Sequence, residues 1–131
     1  MLCARPARAE PASLADSITG GAPVQTGRVH LDLPLLIENG NAVPMKVTVD
    51  SPMTAEDHVR VIHLISEKNP VRHMASFRLG PRSGRAEIQS RIRLAGSQRV
   101  MALAQMSDGS YWADVRSTVV TLSACIDDAG T

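Results

Sequence analysis

Between Arg85 and Leu94 the chain alternates residue by residue. Ala86, Ile88, Ser90, Ile92 and Leu94 fall on one side, and Arg85, Glu87, Gln89, Arg91 and Arg93 on the other. A period of two is the spacing of a half-buried β-strand. Val43, Met45, Val47 and Val49 repeat it against Pro44, Lys46 and Thr48. Weaker runs extend over Arg28–Leu36, His58–Ile65, Met74–Leu79, Val100–Met106 and Tyr111–Leu122. Turn formers separate them: Glu38-Asn39-Gly40-Asn41, Asp50-Ser51-Pro52, Lys68-Asn69-Pro70, Gly80-Pro81-Arg82-Ser83-Gly84 and Ser107-Asp108-Gly109-Ser110. About seven short strands so punctuated predict an all-β chain, an antiparallel β-sandwich of immunoglobulin-like type. Leu14-Ala15-Asp16-Ser17-Ile18, ahead of Gly20-Gly21, predicts a short N-terminal helical segment. The expected organisation is a tail over 1–9, an N-terminal segment over 10–27, the sandwich over 28–122 and a C-terminal arm over 123–131.

Composition excludes several classes. The 131 residues suit one domain. A net charge of +1 gives no dominant field for nucleic acid or membrane. No apolar run approaches the roughly 20 residues of a bilayer-spanning helix. Phe77, Tyr111 and Trp112 are the full aromatic set, too few for a base-stacking surface. The two cysteines, Cys3 and Cys125, make no disulfide framework, and neither has a second Cys or His at zinc-ligand spacing. No metal and no cofactor is expected. Ala7-Arg8-Ala9 resembles a small-residue export cleavage site, although the preceding apolar segment is missing. A disordered basic tail is the other reading. On the export reading Cys125 is the only thiol of the mature chain.

No catalytic constellation is expected. His30, His58, His63 and His73 form no local metal or catalytic motif, and read as ordinary strand and turn histidines. Thr54-Ala55-Glu56-Asp57 reads as a capped helical turn rather than an acid–base site. Arg85, Arg91 and Arg93 form a basic strand face. It is either solvated, with Glu87 relieving its charge, or turned to an anion or a partner. The His58–Ile65 run is too apolar for a half-solvated strand. It is either a central strand buried on both faces or one capped by a partner domain. Cys125 sits near a chain end, where a thiol is poorly placed for a core and well placed to react. Its neighbours Asp127 and Asp128 disfavour the thiolate.

Several segments, taken in order, resemble the SoxY family, the sulfur-carrier subunits of the thiosulfate-oxidising Sox system. They are Leu35-Leu36-Ile37-Glu38-Asn39-Gly40-Asn41-Ala42-Val43-Pro44, Val49-Asp50-Ser51-Pro52-Met53-Thr54 and Glu67-Lys68-Asn69-Pro70, followed by Ser83-Gly84-Arg85-Ala86-Glu87, Arg91-Ile92-Arg93-Leu94-Ala95 and Met106-Ser107-Asp108-Gly109. The resemblance runs from about Leu14 to Cys125. It implies an immunoglobulin-like sandwich paired with a SoxZ-like β-sandwich subunit, in the periplasm, and no catalytic activity of its own. It implies that Cys125 holds sulfur intermediates covalently, as thiosulfate adduct and persulfide, while haem-containing and dimanganese Sox enzymes act on them as transient clients. The alternative is a non-carrier interaction subunit of another periplasmic redox enzyme. One departure bears on the choice. The family's cysteine lies in Gly-Gly-Cys-Gly-Gly, whereas this chain has Ser123-Ala124-Cys125-Ile126-Asp127. Glycine lets an arm bend freely; the β-branched Ile126 is stiffer.

Overall fold

A computed structural model of the chain describes residues 10–69 and 72–121. One helix, α1 (Glu10–Thr19), precedes nine strands: β1 (Val24–Thr26), β2 (Val29–Asp32), β3 (Leu36–Ile37), β4 (Val43–Val49), β5 (Val59–Ser66), β6 (His73–Arg78), β7 (Glu87–Ile92), β8 (Gln98–Met106) and β9 (Tyr111–Val120). They form two sheets. Sheet one runs β1-β9-β8-β5-β6, with β3 also paired to β9; sheet two runs β2-β4-β7. Their facing sides enclose one core, in which Val43, Val47, Ile62, Leu64, Leu94 and Val100 are fully buried. The expected immunoglobulin-like sandwich is what the chain forms.

The strong alternations hold. In β4, Val43, Met45, Val47 and Val49 are buried while Pro44 is exposed. In β7, Ile88 is buried, with Ala86 before it and Leu94 beyond it, and Gln89, Arg91 and Arg93 are exposed. Four expectations change. Arg28–Leu36 is not one strand: it divides at Leu33-Pro34, leaving β2 in sheet two and β3 in sheet one. Proline supplies no ladder N–H, so the chain can cross between sheets there without breaking a hydrogen bond. The sandwich is not wholly antiparallel, because β1 and β3 both lie parallel to β9. It also begins at Val24, ahead of the expected residue 28. Thr54–Asp57 makes no helical turn. Thr54 Oγ1 accepts the Asp57 N–H at 3.1 Å, as a cap would, but Asp57 then takes the Arg28 guanidinium at 3.2 Å and the chain bends away.

The His58–Ile65 run is a central strand buried on both sides, and the chain itself supplies the cover. Ile62 and Leu64 of β5 enter the inter-sheet core. Ile65 turns outward and packs with Met101, Leu103 and Ala113 beneath Ala15 and Ile18 of α1. The helix ends at Gly20 and Gly21, whose N–H groups both donate to the Asp16 carbonyl, at 2.9 and 3.2 Å. Their positive φ angles of 70° and 90° suit glycine at a helix terminus.

The two sheets are joined at one end by a buried polar cluster. Asn69, in the β5–β6 loop, donates Nδ2–H to the Arg93 carbonyl at 2.7 Å. Its Oδ1 accepts the Ala95 N–H at 2.9 Å and the Gln98 amide at 3.2 Å. Gln98 Oε1 in turn accepts the Glu67 and Lys68 N–H groups, at 3.1 and 3.0 Å. Beside it, Arg99 binds Glu67 at 2.8 Å and holds its carboxyl below the usual carboxylate range. Along β9, Asp114 Oδ2 accepts the Leu31 N–H at 2.8 Å and Arg116 donates to the Leu31 carbonyl at 3.3 Å, so the edge of β2 is closed by side chains of sheet one.

The β5–β6 hairpin carries a bulge. Leu64 pairs with Ala75 but Ile65 with His73, leaving Met74 extra. Met74 therefore joins the inter-sheet core, and His73 comes to the outer side with Ser76 and His63. His63 Nδ1 lies 3.0 Å from His73 Nε2 and 2.9 Å from Ser76 Oγ. Burial, the neighbouring His73 and Arg78 lower the pKa of His63 from 6.5.

Two stability predictions follow from these contacts. Asn69→Ala should cost about 2–4 kcal/mol, because partners in the β7–β8 loop and at the start of β8 lose their hydrogen bonds, while exposed Lys68→Ala should change stability by less than about 0.5 kcal/mol. Urea unfolding followed by Trp112, the one tryptophan, reads both. The lowered pKa of His63 means that the unfolded chain binds more protons below pH 6.5. Stability should therefore be flat with respect to this group above that pH and fall as pH drops through the folded-state pKa. His63→Gln should flatten that part of the profile in denaturant melts between pH 7 and 5.

Candidate functional site at the root of the C-terminal arm

The residues expected to do chemistry follow β9, and β9 is anchored to its last described residue. Antiparallel pairing with β8 runs from Gln105–Tyr111 to Gln98–Thr118. Beyond that register β3 takes over on the other edge. Val119 N–H donates to the Leu35 carbonyl and Thr121 N–H to the Ile37 carbonyl, each at 2.9 Å. Thr118 Oγ1 donates to the Pro34 carbonyl at 2.7 Å, and Thr121 Oγ1 to the Glu38 carbonyl at 3.2 Å. Ser97 Oγ accepts the Val120 N–H at 2.9 Å. The backbone groups of the strand end thus have partners on both sides, so the strand end is held rather than frayed. Cys125, the expected attachment point, lies four residues past Thr121 and outside the described residues, as does the arm over 123–131.

An apolar strip borders this root. Register places Leu36 beside Val119, with Val115 further along the same outer side of sheet one. Leu36 is 63% exposed, Val119 53%, Val115 39%, and Leu35, just before β3, 77%. These are the large apolar side chains left in solvent among the described residues. The sequence carried a signal for them that alternation obscured. Pro34-Leu35-Leu36-Ile37 is a continuous apolar run, and a period of two cannot turn all of it inward.

The basic face lies elsewhere. Arg91 sits on β7, an edge strand of sheet two, opposite Pro44, and Arg93 follows it. Both are exposed on the outer side of sheet two, away from the strip on sheet one. Arg85 is taken by Glu87 at 3.2 Å, and Gln89 Nε2 also donates to Glu87, at 3.1 Å. Glu87 thus pairs with residues two positions away along its own segment rather than across to the neighbouring strand. An open groove of about 300 Å³ on the same sheet is lined by Asp32, Pro34, Pro44, Met45, Lys46 and Gln89, without either Arg91 or Arg93.

The histidines divide. His30 pairs with exposed Asp50 at 3.1 Å and His58 Nδ1 lies 2.9 Å from the Thr54 carbonyl. His63 and His73, ten residues apart, meet across the β5–β6 hairpin, a convergence that the sequence reading missed. Among the described residues no group of three His, Cys, Asp or Glu side chains is placed to hold a metal ion. No described helix is long and apolar enough to cross a membrane.

Comparison with solved structures supports the architecture. The sulfur carrier protein SoxY from Chlorobium limicola f thiosulfatophilum superposes with a TM-score of 0.72 at 24% identity, covering 88% of this chain and 99% of that one. A superoxide reductase (neelaredoxin) from Ignicoccus hospitalis gives 0.65 at 15% identity, covering 74% and 94%. A putative superoxide reductase from Thermotoga maritima gives 0.63 at 16%, covering 74% and 93%. At these identities the likeness is one of fold. No curated protein matches the sequence. The family model described as "Sulfur oxidation protein SoxY" matches residues 15–125, from α1 to the cysteine of the arm, and the chain belongs to the SoxY family.

Proposed function

We propose that the chain is a sulfur carrier and not an enzyme, acting in the periplasm in complex with a SoxZ-like subunit. The observation that carries this reading is the extent of the family match, which reaches Cys125 at the end of an otherwise anchored scaffold. Cys125 is the group that would hold the cargo. In the first step its thiol and thiosulfate form a sulfur–sulfur bond; one proton leaves, and two electrons pass to a haem-containing partner. Water then attacks the terminal sulfonate sulfur. Sulfate departs with a second proton released, and a persulfide remains on Cys125. The scaffold's part is to hold β9 still up to Thr121 while the residues beyond it enter a client's cleft.

The exposed strip of Leu35, Leu36, Val115 and Val119 is the proposed face for the SoxZ-like subunit. A second β-sandwich covering it would remove apolar surface from water beside the root of the arm and would leave the arm's tip free. Arg91 and Arg93, on the other sheet, are proposed as a secondary anion-attracting face that influences encounter more than affinity. A second reading is favoured by the arm itself, where Ser123, Ala124, Ile126 and Asp127 stand in place of slender glycines. On that reading the sandwich is an interaction subunit of another periplasmic redox enzyme.

Two experiments test these statements. The chain, co-expressed with its SoxZ-like partner, is incubated with thiosulfate and the cognate haem enzyme, and intact mass is read with and without reductant. A reducible thiosulfate adduct on the wild type, absent from Cys125→Ser, is expected. An intact complex without adduct, beside a control carrier that is modified, would establish the interaction subunit instead. In the second experiment Leu36→Asp should weaken the complex at least about tenfold by isothermal titration, since burying an unpaired carboxylate costs well over about 1.4 kcal/mol. The Arg91→Glu/Arg93→Glu double variant should change the salt dependence of the association rate and leave affinity within about threefold.

A further inference from the structure

The outer side of the β5–β6 hairpin brings three polar atoms to one place: His63 Nδ1, His73 Nε2 and Ser76 Oγ are 2.8–3.0 Å from one another. The bulge at Met74 creates this convergence. Without it His73 would fall opposite Ser66 and turn inward; with it, His73 stands opposite outward-facing Ile65 and beside His63. The two rings are edge to face, with centroids 5.0 Å apart. Imidazole nitrogen is the commonest protein ligand for borderline divalent transition metals.

We propose that His63 and His73 are a pair of imidazole ligands for such an ion, with Ser76 and water completing the shell. The two nitrogens, 3.0 Å apart in hydrogen-bond contact without an ion, are close enough to share one at metal–nitrogen distances of about 2.0–2.1 Å. Rotation about Cβ–Cγ, a soft torsion, turns both lone pairs to a shared point. The rings are half-buried, so an ion can reach them from solvent. Among the groups around His63, His73 and Arg78 on β6 carry or can carry positive charge, and Leu103 on β8 is apolar. Burial and those charges keep the His63 ring neutral near pH 7, the form that binds a metal, at the cost of some repulsion from Arg78. Binding of this kind needs neither the arm nor the carrier reading.

Nickel tests it, since it favours octahedral nitrogen sites and does not oxidise thiols. The full chain carrying Cys3→Ser and Cys125→Ser, so that no thiol competes, is titrated with Ni²⁺ by calorimetry and by loss of imidazole NMR signals. Saturable binding with one ion per chain is expected, with the His63 and His73 signals broadened first. His73→Ala should weaken it at least tenfold and His30→Ala should leave it within twofold. His73→Gln, which keeps a polar side chain at the bulge, serves as the second variant and should lose binding equally. Affinity unchanged in His73→Ala or His73→Gln, or earlier broadening of His30 or His58, would overturn the site.

Discussion

Asn69 and Gln98 are the constraint on which the rest of the sandwich depends. Two sheets that touch only through apolar side chains can slide, because hydrophobic contact has no direction. Hydrogen bonds from Asn69 to the Arg93 carbonyl and the Ala95 N–H fix the end of sheet two against a loop of sheet one. Gln98 carries the same restraint into the first residue of β8 and so into the pairing with β9. The segment Glu67-Lys68-Asn69 is thus more than a strand breaker. Glu67 locks Arg99 outside while Asn69 locks the loops inside, and both positions need their side chains.

What could be read in the sequence is what repeats locally. Alternation in β4 and β7 identified their buried faces residue by residue, because a strand with one solvated side must place its apolar residues at every second position. Gly109, with φ of 88°, closes the expected β8–β9 hairpin, where Asp108 accepts from Ser110 and is held below the usual carboxylate range. What could not be read is non-local. The strands β1 and β3 have three and two residues, and nothing in so short a stretch reports that its partner is β9. The meeting of His63 and His73 depends on a one-residue bulge, and an uninterrupted register predicts the opposite face for His73.

The candidate site shows the same division. Cys125 stands out as a candidate because a family pattern runs up to it, but it lies outside the described residues. The apolar strip at the end of β9 was hidden in a run that reads as one long strand. Splitting that run at Pro34 gives β2 its place in sheet two and leaves Leu35 and Leu36 facing water. The same crossing therefore closes the sandwich and exposes the strip.

The anchoring of β9 has a mechanical consequence. A force applied at Thr121 along the strand axis meets partners on both edges of β9. Parallel bonds to Leu35 and Ile37 on one edge, and the antiparallel ladder to β8 on the other, then share the load in shear. A ladder loaded in shear must break several bonds at once, whereas one peeled from its end gives way one bond at a time. The end of β9 is therefore built to bear a pull along its own axis and to remain folded.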